Sequence, residues 1–312
     1  MNYILFDGPA RNSLLPFTYT RPVADIRIGI LTIREKWECY LNTTTSSLTE
    51  DYLGHKYPMV EWDENIMINA SFLPNQQLAE IVSGLTRHQA VFYGDEVVAF
   101  YSEKAQKQIG LEKYESVEFE GELLKIEHPW HLFHYNGEAL ERDYRLLTKG
   151  RVSRPLSPTN KLVCPENIFI EEGAKVELSI LNASTGPIYI GKDAEVMEGS
   201  IIRGPFALCE GSTVKMGAKI YGPTTVGPYS KVGGEVTNSI LFAYSNKGHD
   251  GYLGNSVLGE WCNLGADTNT SNLKNDYSPV KLWSIAQEKF VPTQLQFCGL
   301  MMGDHSKCAI NT

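Results

Sequence analysis

Branched apolar residues recur at every sixth position from Ile190 to Val232: Ile190, Val196, Ile202, Leu208, Val214, Ile220, Val226 and Val232. A second column, mostly small, sits four residues after each: Ala194, Ser200, Phe206, Ser212, Ala218, Thr224, Ser230 and Val236. Gly-Pro marks the same clock at Gly186-Pro187, Gly204-Pro205 and Gly222-Pro223, one pair per eighteen residues. A period of six broken by Gly-Pro fits neither the 3.6 spacing of a helix nor an unbroken helical hydrogen-bond ladder. It fits a triangular coil of three six-residue sides, a hexapeptide-repeat, left-handed parallel β-helix whose rungs must stack to bury their apolar column.

Earlier positions keep a related rhythm (Leu162, Ile168, Ala174, Ile180), with a slip at Ser184-Thr185-Gly186. Asn238 to Gly251 reads as an interruption projecting polar residues from one face, after which the rhythm returns at Leu258 and Leu264. Leu273 to Phe297 reads as an excursion packed on the prism through Trp283, Ile285 and Phe290, with sixes resuming at Met302 and Cys308. The last rung stops in mid-coil at Thr312, which leads to the expectation of further coils.

The first half alternates strand and helix signals and is expected to be an α/β domain. Tyr3–Phe6 and Ile66–Asn69 read as strands, Gly29–Leu41 and Leu78–Leu85 as helices, and Ala90–Phe100 as a hairpin turning at Gly94-Asp95. Thr43–Thr49 reads as a polar loop, Glu138–Leu147 as a helix, and Gly150–Thr159 as a proline-containing linker. Two domains follow, 1–152 and 153–312.

Charge and cysteine content narrow the classes. A net charge of -9 and a pI near 5.4 argue against a nucleic-acid partner. No apolar run reaches the ~18 residues of a membrane span, and the opening MNYILFDGP has no signal-peptide pattern. The six cysteines show no CxxC pair and no metal spacing, which suits reduced thiols in the cytoplasm.

The opening segment, with Leu5, Gly8, Arg11, Leu15-Pro16-Phe17-Thr18 and Arg21-Pro22, resembles the sugar-phosphate nucleotidyltransferases. The resemblance implies a nucleoside triphosphate and Mg²⁺, with Gly8, Arg11 and Arg21 near the phosphates. Backbone amides and cations suit that task because charge builds on the departing pyrophosphate. Arg11, Arg21 and Arg27 equally suit solvated or ion-paired surface positions. The metal ligands stay unassigned, since Asp95 falls in the hairpin turn.

A second resemblance lies in Ser245-Asn246-Lys247-Gly248-His249-Asp250-Gly251-Tyr252-Leu253-Gly254-Asn255, then Asn263-Leu264-Gly265-Ala266-Asp267-Thr268, then Ser271-Asn272. These stretches look like the acetyltransferase half of the bifunctional N-acetylglucosamine-1-phosphate uridyltransferase/glucosamine-1-phosphate acetyltransferase family, and the whole chain resembles a divergent bacterial branch of it. The resemblance implies acetyl transfer from acetyl-CoA to an amino-sugar 1-phosphate, in a homotrimer with the CoA lying along the coil between subunits. His249 would be the general base, with Tyr252, Asn263, Asn272 and Lys247 binding the sugar phosphate. Tyr252 also suits a corner-filling role, and Asn263 and Asn272 suit stacked Asn ladders. The family's two phosphate-binding cations before its His have no counterparts here, where Lys231, Gly233-Gly234-Glu235, Thr237 and Asn238 stand instead. The acceptor is therefore expected to differ from glucosamine 1-phosphate. A runner-up reading keeps only nucleotidyl transfer and makes the β-helix a trimerisation or regulatory scaffold.

Overall fold

A column of Val, Ile and Leu that no single rung can bury alone is buried here by stacking. The computed structural model describes residues 1–107, 110 and 113–312. Three all-parallel sheets of six, seven and seven short strands form the faces of a left-handed β-helical prism. The first face runs from Lys161–Val163 to Tyr252–Gly254, the second from Ile168–Ile170 to Met301–Met302, and the third from Lys175–Val176 to Lys307–Cys308. All eight residues of the six-residue column are inside, none more than 2% exposed. Along the second face Ile190, Leu208 and Val226 lie in register, and along the third Val196, Val214 and Val232 do.

The small column is polar for a reason. At the corner before the third face, Ser212, Ser230 and Ser245 stack, all nearly inaccessible to solvent. Each Oγ accepts the backbone N–H of the rung above: Ser212 from Ser230 (3.2 Å), Ser230 from Ser245 (3.1 Å), and Ser245 from Cys262 (3.0 Å). Ser212 and Ser245 also donate to the carbonyls of Gly227 and Gly259 (2.8 and 2.7 Å). Corner amides that the strands cannot pair thus find partners without water. Immediately before this column, Tyr229, Tyr244 and Trp261 sit with left-handed φ and stack nearly parallel outside the prism, ring centroids 5.5 and 4.6 Å apart.

Rung length varies while register is kept. The slip near Thr185 is a rung of twenty to twenty-one residues, in which Leu181 pairs with Ile202 and Val176 with Val196. The rung before it is nineteen residues, Leu162 pairing with Leu181, so counting in sixes from Leu162 falls one short: Leu181 faces inward and Ile180 is 42% exposed. Asn238–Gly251 is not an interruption. It is a shortened rung whose strands Ile240–Ala243 and Asn246–Lys247 pair fifteen residues on from the second and third faces below. The long excursion after Thr268 holds a hairpin, Lys281–Ser284 with Lys289–Pro292. Trp283 and Phe290 pack on each other edge to face at 5.3 Å and stay more than half exposed, so the excursion does not bury them.

By contacts the chain divides into Met1–Ile26 with Leu31–His128, and Arg27–Ile30 with Pro129–Thr312. In the first unit Asn2–Phe6 lies between Ser46–Leu48 and Asn65–Asn69, parallel to both; Glu96–Ser102, Gln89–Tyr93 and Glu115–Glu118 complete a six-stranded sheet. The hairpin at Gly94-Asp95 forms as expected. The expected loop at 43–49 contains the strand Ser46–Leu48, since pairing with Ile4–Phe6 uses backbone groups and tolerates serine. The helix expected from Gly29 is Ile33–Leu41, started by a capping box between Thr32 and Glu35. Residues 29–31 are not helical, and Gly29 has φ +71°.

In the second unit the helix Pro129–Thr148, longer than expected, is joined to the prism by Asn136. Its Nδ2 donates to the Pro223 carbonyl (3.1 Å), and its Oδ1 accepts the Gly29 N–H (2.8 Å) and faces the Thr225 hydroxyl (3.2 Å), which donates to the Gly29 carbonyl (2.9 Å). Arg27 Nε donates to the Phe242 carbonyl (3.0 Å), so this arginine binds the prism. Ser230→Ala would leave the Ser245 N–H buried without its acceptor. Urea unfolding is expected to show a loss of about 1–3 kcal/mol for the β-helical transition.

Candidate functional site

The corner between the third and first faces carries most of the expected site. Asn246–Lys247 is this rung's strand in the third face, residues 248–251 turn, and Tyr252–Gly254 is the first-face strand of the next rung. Gly234 in the rung below makes room for this turn. A methyl group there would lie 2.9 Å from the His249 and Gly251 carbonyl oxygens and from the Asp250 Cα. The rungs clamp the turn from both sides: Glu235 N–H donates to the Gly251 carbonyl (3.2 Å), and Asp267 N–H donates to that of Asp250 (3.1 Å). His249 stands exposed at this clamped corner.

Lys247 lies elsewhere than a substrate ligand would. It is in register with Val232, facing into the prism, and is 2% exposed. Its Nζ donates to the carbonyls of Gly233 (3.1 Å) and His249 (2.5 Å). Burial pushes its pKa down to about 8, against the opposing pull of Asp250 and Asp267.

Tyr252 and Asn272 are brought together. Asn272 Nδ2 donates to the Tyr252 phenol oxygen (3.1 Å) and to Asn255 Oδ1 (2.7 Å). Gly254 opens the space, because a methyl group there would meet the phenol oxygen at 2.3 Å. The Tyr252 backbone is held by Asn269 and Thr270 of the next rung. Asn263 pairs in register with Asn246, whose Nδ2 donates to it at 3.0 Å, forming a two-step Asn ladder on the outer third face. Neighbouring Cys262 is buried, and burial pushes its thiol up to about 11, so it stays neutral at physiological pH. Asn255, Asn269 and Gly234 join the site beyond the residues to which the motif assigns a role, and Asn246, one of the polar residues of the 238–251 segment, joins it through Asn263. The signal for the Asn pair is one of spacing, Asn246 and Asn263 falling one rung of seventeen residues apart.

In the first unit, the loop after the opening strand is organised by a buried ion pair. Arg11 meets Asp7 at 2.8 Å and also donates to the Thr18 carbonyl (2.6 Å), the Arg21 carbonyl (3.3 Å) and the Tyr52 hydroxyl (2.9 Å). Asp7 additionally accepts from Val23 N–H (2.7 Å) and the Thr49 hydroxyl (2.5 Å). Arg11 and Arg21 are 7% and 2% exposed, so both are interior side chains and not solvated surface ones. Gly8 packs on Asn69, whose Oδ1 would lie 2.7 Å from a methyl at that position. Among the described residues, no group of three or more His, Cys, Asp or Glu is placed to hold a metal ion. Nor is any helix among them long and apolar enough to cross a membrane.

Comparison with known proteins adds family evidence to this geometry. Residues 3–152 match a family described as sugar nucleotidyl transferase. The bifunctional protein GlmU of Methanococcus maripaludis is 29% identical over 206 residues, covering 66% of this chain and 43% of the relative. The bifunctional sugar-1-phosphate nucleotidylyltransferase/acetyltransferase of Sulfurisphaera tokodaii is 28% identical over 62% of this chain and 42% of its own length. The GlmU of Methanocaldococcus jannaschii is 29% identical over 64% and 42%. The chain thus aligns with less than half the length of each of these relatives. A sugar nucleotidyl transferase match over residues 3–152 lies ahead of a parallel β-helix, and the chain is similar to relatives named for two transferase activities.

Proposed function

We propose that the protein is a bifunctional transferase acting on sugar phosphates. The β-helix transfers acetyl from acetyl-CoA to the amine of an amino-sugar 1-phosphate, and the region 3–152 transfers a nucleotidyl group from a nucleoside triphosphate to a sugar 1-phosphate. The observation that carries the acetyl reading is the exposed His249 on a turn clamped between rungs, followed by the Tyr252–Asn272–Asn255 network. In the reaction the amine nitrogen attacks the thioester carbonyl, the C–S bond breaks, and CoA leaves as the thiol. His249 takes the ammonium proton as the C–N bond forms and returns it to the departing sulfur. Tyr252, Asn263 and Asn272 orient the sugar, since neutral donor–acceptor groups read hydroxyls without adding charge. CoA lies along the outside of the coil at the seam of a homotrimer in the cytoplasm.

For the nucleotidyl step, Gly8 lets the loop approach the phosphates. Arg11 stiffens that loop through the Thr18 and Arg21 carbonyls, and Arg21 is interior as well. Asp7 is engaged by Arg11, Thr49 and Val23, and no step is assigned through the metal.

His249→Ala is expected to lower thiol release from acetyl-CoA with an amino-sugar 1-phosphate by about 10²–10⁴-fold with melting unchanged; full activity would remove His249 from the base role. Gly8→Ala should push on the Asn69 amide and slow pyrophosphate release from UTP and N-acetylglucosamine 1-phosphate by at least about tenfold. In that variant acetyl transfer should be untouched, and equal loss of both activities would place the effect on folding.

A further inference from the structure

One residue in the inner column of the third face is not apolar. Val196, Val214 and Val232 stack there, and the next position is Lys247, with Leu264 beyond it. A lysine in a hydrophobic column loses hydration over its whole length, and a leucine would fit the ladder better by transfer energy alone. The cost falls on a side chain whose ammonium reaches two backbone oxygens, one of them the carbonyl of His249. The other, the Gly233 carbonyl, belongs to the rung below and is next to Gly234, on which the His249 turn rests.

We propose that Lys247 is a positioning residue. Its ammonium bridges the Gly233 and His249 carbonyls, fixes the turn from inside the prism, and so sets the direction in which the His249 imidazole leaves the corner. This deepens the acetyl-transfer reading and rests on it. Lys247 touches no reacting atom; it acts through the backbone of the base. Each carbonyl accepts a charge-assisted bond, stronger than a neutral one, and only a long, straight cation placed inside the column reaches both. The charged groups facing it are Asp250 of the same turn and Asp267 of the next rung, both favouring the protonated form. The structure thus gives up core stability at the point where the proposed base is displayed.

The test is Lys247→Leu, which matches Leu264 in the same column. Positioning predicts opposite movements of stability and rate. The melting temperature at pH 7 should rise, because below pH 8 the folded protein carries the full penalty of a buried ammonium. The gap between variant and wild type should narrow as pH rises from 8 toward 10.5, where the folded wild-type amine is already neutral and the unfolded one still charged. Meanwhile kcat for acetyl transfer should fall by about ten- to a hundredfold, and KM for acetyl-CoA should stay within about twofold. Hydrogen exchange of the peptide spanning 247–254 should accelerate by at least about tenfold, with the strands at 224–226 and 257–260 unchanged. A variant that loses stability and rate together makes Lys247 merely structural, and one that keeps its kcat overturns the proposal. Should the wild type show no acetyl transfer, the reaction assignment fails. The exchange measurement then decides the bridge alone, with faster exchange supporting it and unchanged exchange overturning it.

Discussion

Everything in the second unit depends on rung-to-rung register. A rung has no core of its own, so each inner residue must find its counterpart one coil away, and each backbone amide must find its acceptor there too. The inner columns provide the first match and the strands the second. At the corners, where strands stop, hydroxyls of Ser212, Ser230 and Ser245 take over the role of acceptor. Apolar burial and hydrogen-bond satisfaction therefore pick out the same stacking, which is the consistency expected of a sequence with one folded answer.

The candidate site uses that rigidity. His249 sits on a turn that is held from below by Gly234 and Glu235, from above by Asp267, and from within by Lys247. A side chain on such a turn is displayed with little freedom to lose on binding, a form of preorganisation. The first unit solves a related problem differently. There the Asp7–Arg11 pair, buried and held by several hydrogen bonds, shapes a loop that has little regular structure of its own. Taking either partner away would strand a charge in the interior, which is far costlier than losing a surface pair.

Legibility in the sequence tracked periodicity. The eight residues from Ile190 to Val232 could be placed inside because six-residue spacing has one physical meaning, and the hairpin at Gly94-Asp95 could be placed by its turn residues. Ile180 falls outside because Leu181 stands nineteen residues after its partner Leu162, so counting in sixes from Leu162 ends one residue short. Asn238–Gly251 looked like a break for the converse reason: its rung is short, and a lysine occupies the inner position where a counting rule expects an apolar residue. Ser46–Leu48 was missed because its strand character comes from pairing with Ile4–Phe6 and not from its own side chains. The exposed Trp283–Phe290 pair shows that aromatic content alone does not say what a residue packs against. In the candidate site, the motif points to His249, Tyr252 and Asn272, of which Tyr252 and Asn272 are in contact. The inward direction of Lys247 was not legible, because that depends on knowing which corner residues the shortened rung omits.

The varying rung length has a wider consequence. Rungs of fifteen, eighteen and twenty-one residues all keep the same inner alignment, so the residues gained or lost are those of the corners. Framework and display are separable in such an architecture. A lineage can rewrite what projects from an edge, by trimming three residues or inserting a hairpin, while the interior is inherited unaltered. New chemistry can be tried at one vertex of the triangle without renegotiating the other two.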